Sequence, residues 1–153
     1  MPKRSVKAPP RAADTAGIRY VESSALVAAL LERDANALKS VRSRGRTVTS
    51  ALTIAETARM ILRAKTAGRV TADQERAAMR ALHCFERRCF VVAVTETVLT
   101  RVRRPFPIEP IRTLDAVHLA TTELLGEPPA FIVVVTRDVR VRDNALALGY
   151  AVE

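Results

Sequence analysis

From Ile18 onward, short apolar runs alternate with segments whose apolar residues return every three or four positions. Those two spacings separate strand from helix, because side chains alternate along a strand and recur every 3.6 residues around a helix. Ile18–Val21 reads as a first strand, after which Ser23 or Ser24 can cap a helix through Leu26, Leu30 and Leu31. Asp34 opens a second helix that ends in the basic turn Arg42-Ser43-Arg44-Gly45, and Thr47–Thr49 is a second short strand. Ala51–Lys65 carries an Ile54, Ala58, Ile61, Leu62 stripe and stops before Gly68. Thr71-Ala72-Asp73-Gln74 has the form of a capping box and starts a helix to about Arg87.

The second half repeats the alternation. Cys89–Val94 is a β-branched strand, followed by a short helix from about Glu96 to Arg103 and a proline-punctuated loop from Pro105 to Pro110. Thr113 is placed to cap a helix through Leu124. Phe131–Val135 is apolar at every position, as a parallel strand covered on both faces should be. A helix from about Asp138 to Leu148 ends at Gly149, and Tyr150–Val152 can add one more strand. This order predicts an α/β fold, a three-layer α/β/α sandwich around a central parallel sheet of four to five strands. Residues 1–17 read as a disordered basic leader and residues 18–153 as one domain.

Composition narrows the function. A chain of 153 residues can bury roughly two-thirds of its extended surface in a single core. No apolar run approaches the ~20 residues of a membrane span, and the basic N-terminal stretch lacks the apolar segment of a signal peptide, so a cytoplasmic location is expected. Cys84 and Cys89, in a C-x4-C spacing that fits no common zinc pattern, read as buried small hydrophobes. The net charge of +9 invites a polyanionic partner, although an arginine-rich composition could also reflect a GC-rich genome. Aromatic residues, at 4%, are too sparse for a base-stacking platform.

In open parallel sheets, ligands bind beyond the carboxyl ends of the strands. Glu22, Ser23 and Ser24 follow the first strand, Ser50 and Glu56 the second, and Thr136-Arg137-Asp138 the all-apolar one. Asp115 opens its helix three residues before His118. Neither G-x-G-x-x-G nor G-x-x-x-x-G-K-[ST] is present. Two carboxylates about 5 Å apart at an effective dielectric near 20 repel by roughly 3 kcal/mol, so a converging set must hold protons or a divalent cation. An all-oxygen set suits Mg²⁺ or Mn²⁺, ions that can clamp a phosphodiester and activate water. Each acid also has a local reading. Glu22 and Asp115 could favour a helix dipole, Glu56 could be solvated and paired with Arg59, and Asp138 could be an N-cap. Asp143 reads as a surface residue, and His118 and His83 as packed, hydrogen-bonded histidines.

Four stretches together resemble a PIN-domain protein of the VapC toxin type. They are Tyr20-Val21-Glu22-Ser23-Ser24-Ala25-Leu26, Ser50-Ala51-Leu52-Thr53-Ile54-Ala55-Glu56, the run from Ile111 to Ala120 around Leu114-Asp115-Ala116-Val117-His118, and Val135-Thr136-Arg137-Asp138. The resemblance covers about residue 18 to the end of the sequence. It implies a Mg²⁺- or Mn²⁺-dependent endoribonuclease, the toxin of a toxin–antitoxin pair. Its four acids would be Glu22, Glu56, Asp115 and Asp138, with metal on Glu22, Asp115 and Asp138. Thr136 would support the site and Ser23 would be an accessory hydroxyl. Arg112 and Arg137 are candidates for phosphate contact. The implied partners are structured RNA such as tRNA or rRNA, a cognate antitoxin and a second copy of the chain in a homodimer.

The sequence departs from the family pattern at the first acid, which is usually Asp and here is Glu22. That departure makes Glu22→Asp an expected gain in Mg²⁺-dependent cleavage. It also leaves a rival reading, a catalytically impaired PIN domain that binds RNA or protein. A phosphoryl-receiver reading would need a lysine after a late strand, whereas the only lysines beyond the leader are Lys39 and Lys65.

Overall fold

The computed structural model describes residues 17–153, so the expected leader, apart from Gly17, lies outside the described residues. Five strands run in chain order as β1 (Ile18–Val21), β2 (Arg46–Ser50), β3 (Phe90–Val92), β4 (Ile132–Val135) and β5 (Ala151–Val152). All neighbours are parallel, in the order β3-β2-β1-β4-β5. The chain builds outward from β1 in one direction and then, through β4, in the other. The order therefore reverses between β1 and β4, where an open parallel sheet leaves a crevice at its carboxyl edge.

The helices are α1 (Ser23–Leu30), α2 (Ala35–Arg42), α3 (Ala51–Thr66), α4 (Ala72–Glu86), α5 (Glu96–Val102), α6 (Thr113–Glu123) and α7 (Val139–Ala147). They cover both faces of the sheet. Tyr20, Val48, Ile132 and Val134 pack with Val98, Phe106, Leu119 and Val141 on the α5–α6–α7 side. Val21, Val133 and Val135 pack with Leu26, Ile61 and Leu82 on the α1–α3–α4 side. The alternation of β1 and β4 between the two cores is the strand period made visible. All four residues of β4 are buried, as its unbroken apolar sequence implied.

Several local expectations shift. The structure replaces Phe131 as a strand residue with the end of a 3-10 turn, Pro129–Phe131, and β4 begins at Ile132. The strand expected over Cys89–Val94 contracts to Phe90–Val92. Arg112, not Thr113, is the N-cap of α6, and Thr113 is its first helical residue. Cys84 and His83 lie on the outer side of α4 and are exposed, while Cys89 is half-buried. Neither histidine packing at His83 nor burial of Cys84 holds, because the buried face of α4 runs through Ala78 and Leu82. The fully buried face of α3 is Thr53, Thr57, Ile61 and Ala64, of which the expected apolar stripe included only Ile61. The loop of prolines between α5 and α6 is braced by polar contacts. Glu109 accepts from the Phe106 and Ile111 amides, and Asn144 exchanges two hydrogen bonds with the Ile108 backbone.

Candidate active site

Strand β1 delivers Glu22 directly to the carboxyl edge, where its amide donates to the Val135 carbonyl of β4 at 3.0 Å. The residue is only 3% exposed. Its carboxylate is gripped by three hydroxyls: Ser23 donates to Oε1 at 2.6 Å, Thr136 donates to Oε2 at 2.8 Å, and Ser24 also donates to Oε2. No side chain caps the start of α1 in the usual way, because both serines turn their hydroxyls to this carboxylate instead. Ser24 was expected at most as a cap, yet it is the hub of the edge. Its Oγ accepts from the Arg137 amide at 2.7 Å and the Asp138 amide at 3.0 Å, and lies 3.1 Å from Thr136 Oγ1.

Glu56 reaches the same place from the second turn of α3. Its Oε2 is 2.7 Å from His118 Nε2 on α6, and no ion pair with Arg59 occurs among the described residues. Burial alone would raise the Glu56 pKa, but the hydrogen bond and charge of His118, with a contribution from Ser23, hold it below the ordinary glutamate value. His118 is 1% exposed and its Nε2 stands 3.7 Å from Glu22 Oε1. The packed histidine foreseen in the sequence is therefore found at the centre of the acids. One ligand atom from each of Glu22, Glu56 and His118 lies within 4.8 Å of the others. Tyr20 closes the far side, with its hydroxyl 3.0 Å from His118 Nδ1.

Asp115 sits on the first turn of α6, and its Oδ2 is buried without a hydrogen-bond partner. Burial, then the charges of Asp138 and Glu22, raise its pKa above the ordinary aspartate value, against weaker opposition from Arg112 and His118. Asp138 serves as the N-cap of α7, with Oδ1 accepting from the Arg140 and Val141 amides. Its capping role leaves it a second carboxylate oxygen to offer. Arg112 is exposed at the mouth of α6. Arg137 folds back, with Nη1 donating to the Thr136 carbonyl at 3.3 Å and Nε 3.8 Å from Asp34 Oδ2. Asp143 is paired on the surface with Arg142.

The residues fit a divalent cation. Glu22 and Glu56 meet from two separate elements, Asp115 feels the charges of Glu22 and Asp138, and one buried carboxylate oxygen on Asp115 has no donor of its own. Only protons or a cation relieve such a set, and its oxygens are hard ligands. An α/β sheet carrying acids at its switch point defines the class: a protein whose acidic crevice suits a divalent cation.

Comparison with known proteins refines that class. A family profile described as PIN domain matches residues 19–146. Ribonuclease VapC46 of Mycobacterium tuberculosis is 37% identical over 135 residues, covering 87% of this chain and 94% of that protein. The chain belongs to the PIN-domain family and, within it, to the VapC ribonucleases. Among solved structures, M. tuberculosis VapC20, a toxin that cleaves the sarcin–ricin loop, shares the fold with a TM-score of 0.59 at 19% identity, over 87% of this chain and 96% of that one. VapBC2 from Rickettsia felis, bound to a DNA fragment from its promoter, gives 0.59 at 12% identity, over 89% and 97%.

Proposed function

We propose that the protein is a metal-dependent endoribonuclease acting as the toxin of a toxin–antitoxin pair in the cytoplasm, with Mg²⁺ or Mn²⁺ as the ion. The observation that carries this reading is the meeting of Glu22, Glu56 and His118, with ligand atoms within 4.8 Å of one another, beside the buried Asp115 Oδ2 that is left without a donor one turn before His118 on α6. Family membership supports the ribonuclease activity, and the basic surface suits an RNA phosphate backbone. Kinship with VapBC assemblies supports a cognate antitoxin as partner. The same reading extends to a structured RNA substrate of the tRNA or rRNA kind and to a homodimer.

Glu22, Asp115 and Asp138 would hold the cation, with Glu56 beside Glu22 as a further carboxylate toward it, and the ion when bound would neutralise the carboxylates and polarise a phosphodiester oxygen. Ser23, Ser24 and Thr136 fix the Glu22 carboxylate so that it meets the crevice in one pose. Glu56, whose ionised form His118 favours, would take a proton from an incoming water. Arg112, exposed at the mouth, and Arg137 draw the RNA backbone against the crevice. The three hydroxyls on Glu22 also weigh against the impaired-domain rival, because they meet the carboxylate where the longer side chain puts it. Induced expression in a bacterium tests the reading. Growth arrest with discrete cleavage of one RNA class is expected, and Asp115→Asn should remove both. Arrest that persists in Asp115→Asn, or arrest without RNA cleavage, would refute it.

A further inference from the structure

His118 and Tyr20 are buried and polar, and neither belongs to the set of acids. We propose that Tyr20 and His118 are positioning residues of the acidic site: Tyr20 fixes His118 with its proton on Nε2, and that N–H holds Glu56 facing the crevice without binding the metal itself. The inference rests on the metal-site reading above and concerns how the apoprotein presents its ligands.

The geometry carries it. A separation of 2.7 Å between His118 Nε2 and Glu56 Oε2 is a hydrogen bond, and an ionised carboxylate brings no proton to it. The proton therefore sits on Nε2. In the neutral ring Nδ1, 3.0 Å from the Tyr20 hydroxyl, is then the acceptor of a phenol O–H, and a ring that gains a second proton there still keeps the one on Nε2 toward Glu56. Tyr20 is fully buried and its hydroxyl, an O–H donor, stands within hydrogen-bond distance of the ring. A nitrogen that carries a proton has no lone pair for a cation. So although Glu22, Glu56 and His118 meet by distance as a three-ligand set, the set acts as two carboxylates and one donor.

The consequence falls on Glu56, whose side chain is 23% exposed and extends from α3 to His118 on α6. Without a fixed partner a glutamate on a helix flank would sample several rotamers and spend much of its time in solvent. The Tyr20–His118 pair ties it to β1 and α6, the two elements that carry Glu22 and Asp115. Outer residues that orient ligands this way change metal affinity by about 10–100-fold when removed.

The test is Mn²⁺ binding to the purified full chain without RNA, read by electron paramagnetic resonance of free Mn²⁺, with pulsed spectra for directly bound nitrogen. Tyr20→Phe keeps the ring and removes the hydroxyl, His118→Ala removes the donor, and His118→Gln restores an N–H near Nε2. Weakening of about 10–100-fold in Tyr20→Phe and His118→Ala, substantial recovery in His118→Gln, and no bound-nitrogen coupling in the wild type are expected. A merely structural role would not be rescued by glutamine. Unchanged affinity in folded Tyr20→Phe and His118→Ala, or a nitrogen coupling typical of a bound imidazole, would overturn the proposal. A wild-type protein that binds no Mn²⁺ would overturn the metal reading as well, so the two failures are distinguishable.

Discussion

Glu22→Asp probes the acidic site most sharply, because two lines of reasoning give it opposite signs. Family pattern alone makes aspartate the better first acid and a gain in Mg²⁺-dependent cleavage the outcome. The structure reverses that sign. Shortening the side chain draws the carboxylate back by about one C–C bond, ~1.5 Å. The Ser23 and Thr136 hydroxyls, now 2.6 and 2.8 Å away, would fall out of hydrogen-bond range unless the backbone followed. A hydrogen bond to a charged group contributes about 1.5–3 kcal/mol, and water entering the vacated space replaces part of that. The net loss is about 2–4 kcal/mol, and for a chain of this size each kcal/mol lowers Tm by roughly 2–4 °C. Thermal unfolding in EDTA should therefore show Tm lower by about 5–15 °C. Cleavage in Mg²⁺ should fall, by up to about a hundredfold for a ~1 Å misplacement. An unchanged Tm together with faster Mg²⁺-dependent cleavage would refute the reasoning and return Glu22 to the status of an imperfect aspartate.

Other perturbations have equally definite outcomes. Asp115 has a raised pKa in the folded protein, so its contribution to metal-free stability is full below the unfolded aspartate pKa and is lost as pH rises through the folded value. Denaturant titrations in EDTA should show that loss, Asp115→Asn should flatten it, and the same variant should abolish metal-dependent cleavage. Glu153→Ala strips the partner from the 5%-exposed Arg19, which bridges Glu153 and the Ser40 carbonyl, and should cost about 3 kcal/mol in chemical denaturation. Arg112→Gln should raise KM for RNA with little change in kcat, and should reduce the salt slope of RNA binding by about one phosphate contact. Ile132→Ala in the fully buried β4 should cost about 2–5 kcal/mol by leaving a cavity.

The α/β architecture was legible because parallel strands covered on both faces write themselves as apolar runs, and β4 is the clearest case. Helix starts were legible where a side chain does the capping, as at Asp34 and Thr71. They were not where no side chain caps the helix, as at Arg112. The buried face of α3 was hidden because Thr53 and Thr57 are polar by name yet face inward; Thr53 donates to the Val21 carbonyl. The four acids were visible only as a set, since each has an adequate local role, and Asp138 does fill the capping role assigned to it. Ser24, Tyr20 and His118 carried no linear signal for their contacts, which join residues as far apart as 98 and 114 positions. Such contacts belong to the topology, which brings β1, β4 and α6 together.

The most direct test of the account is a single-turnover measurement on one labelled RNA, following binding and cleavage separately in the wild type and in Asp115→Asn. RNA should bind both proteins in EDTA and remain intact. Addition of Mg²⁺ or Mn²⁺ should start cleavage in the wild type and leave the Asp115→Asn complex uncut. Cleavage in EDTA, or cleavage by Asp115→Asn at the wild-type rate, would contradict the claim that these converging carboxylates are a metal-dependent ribonuclease site.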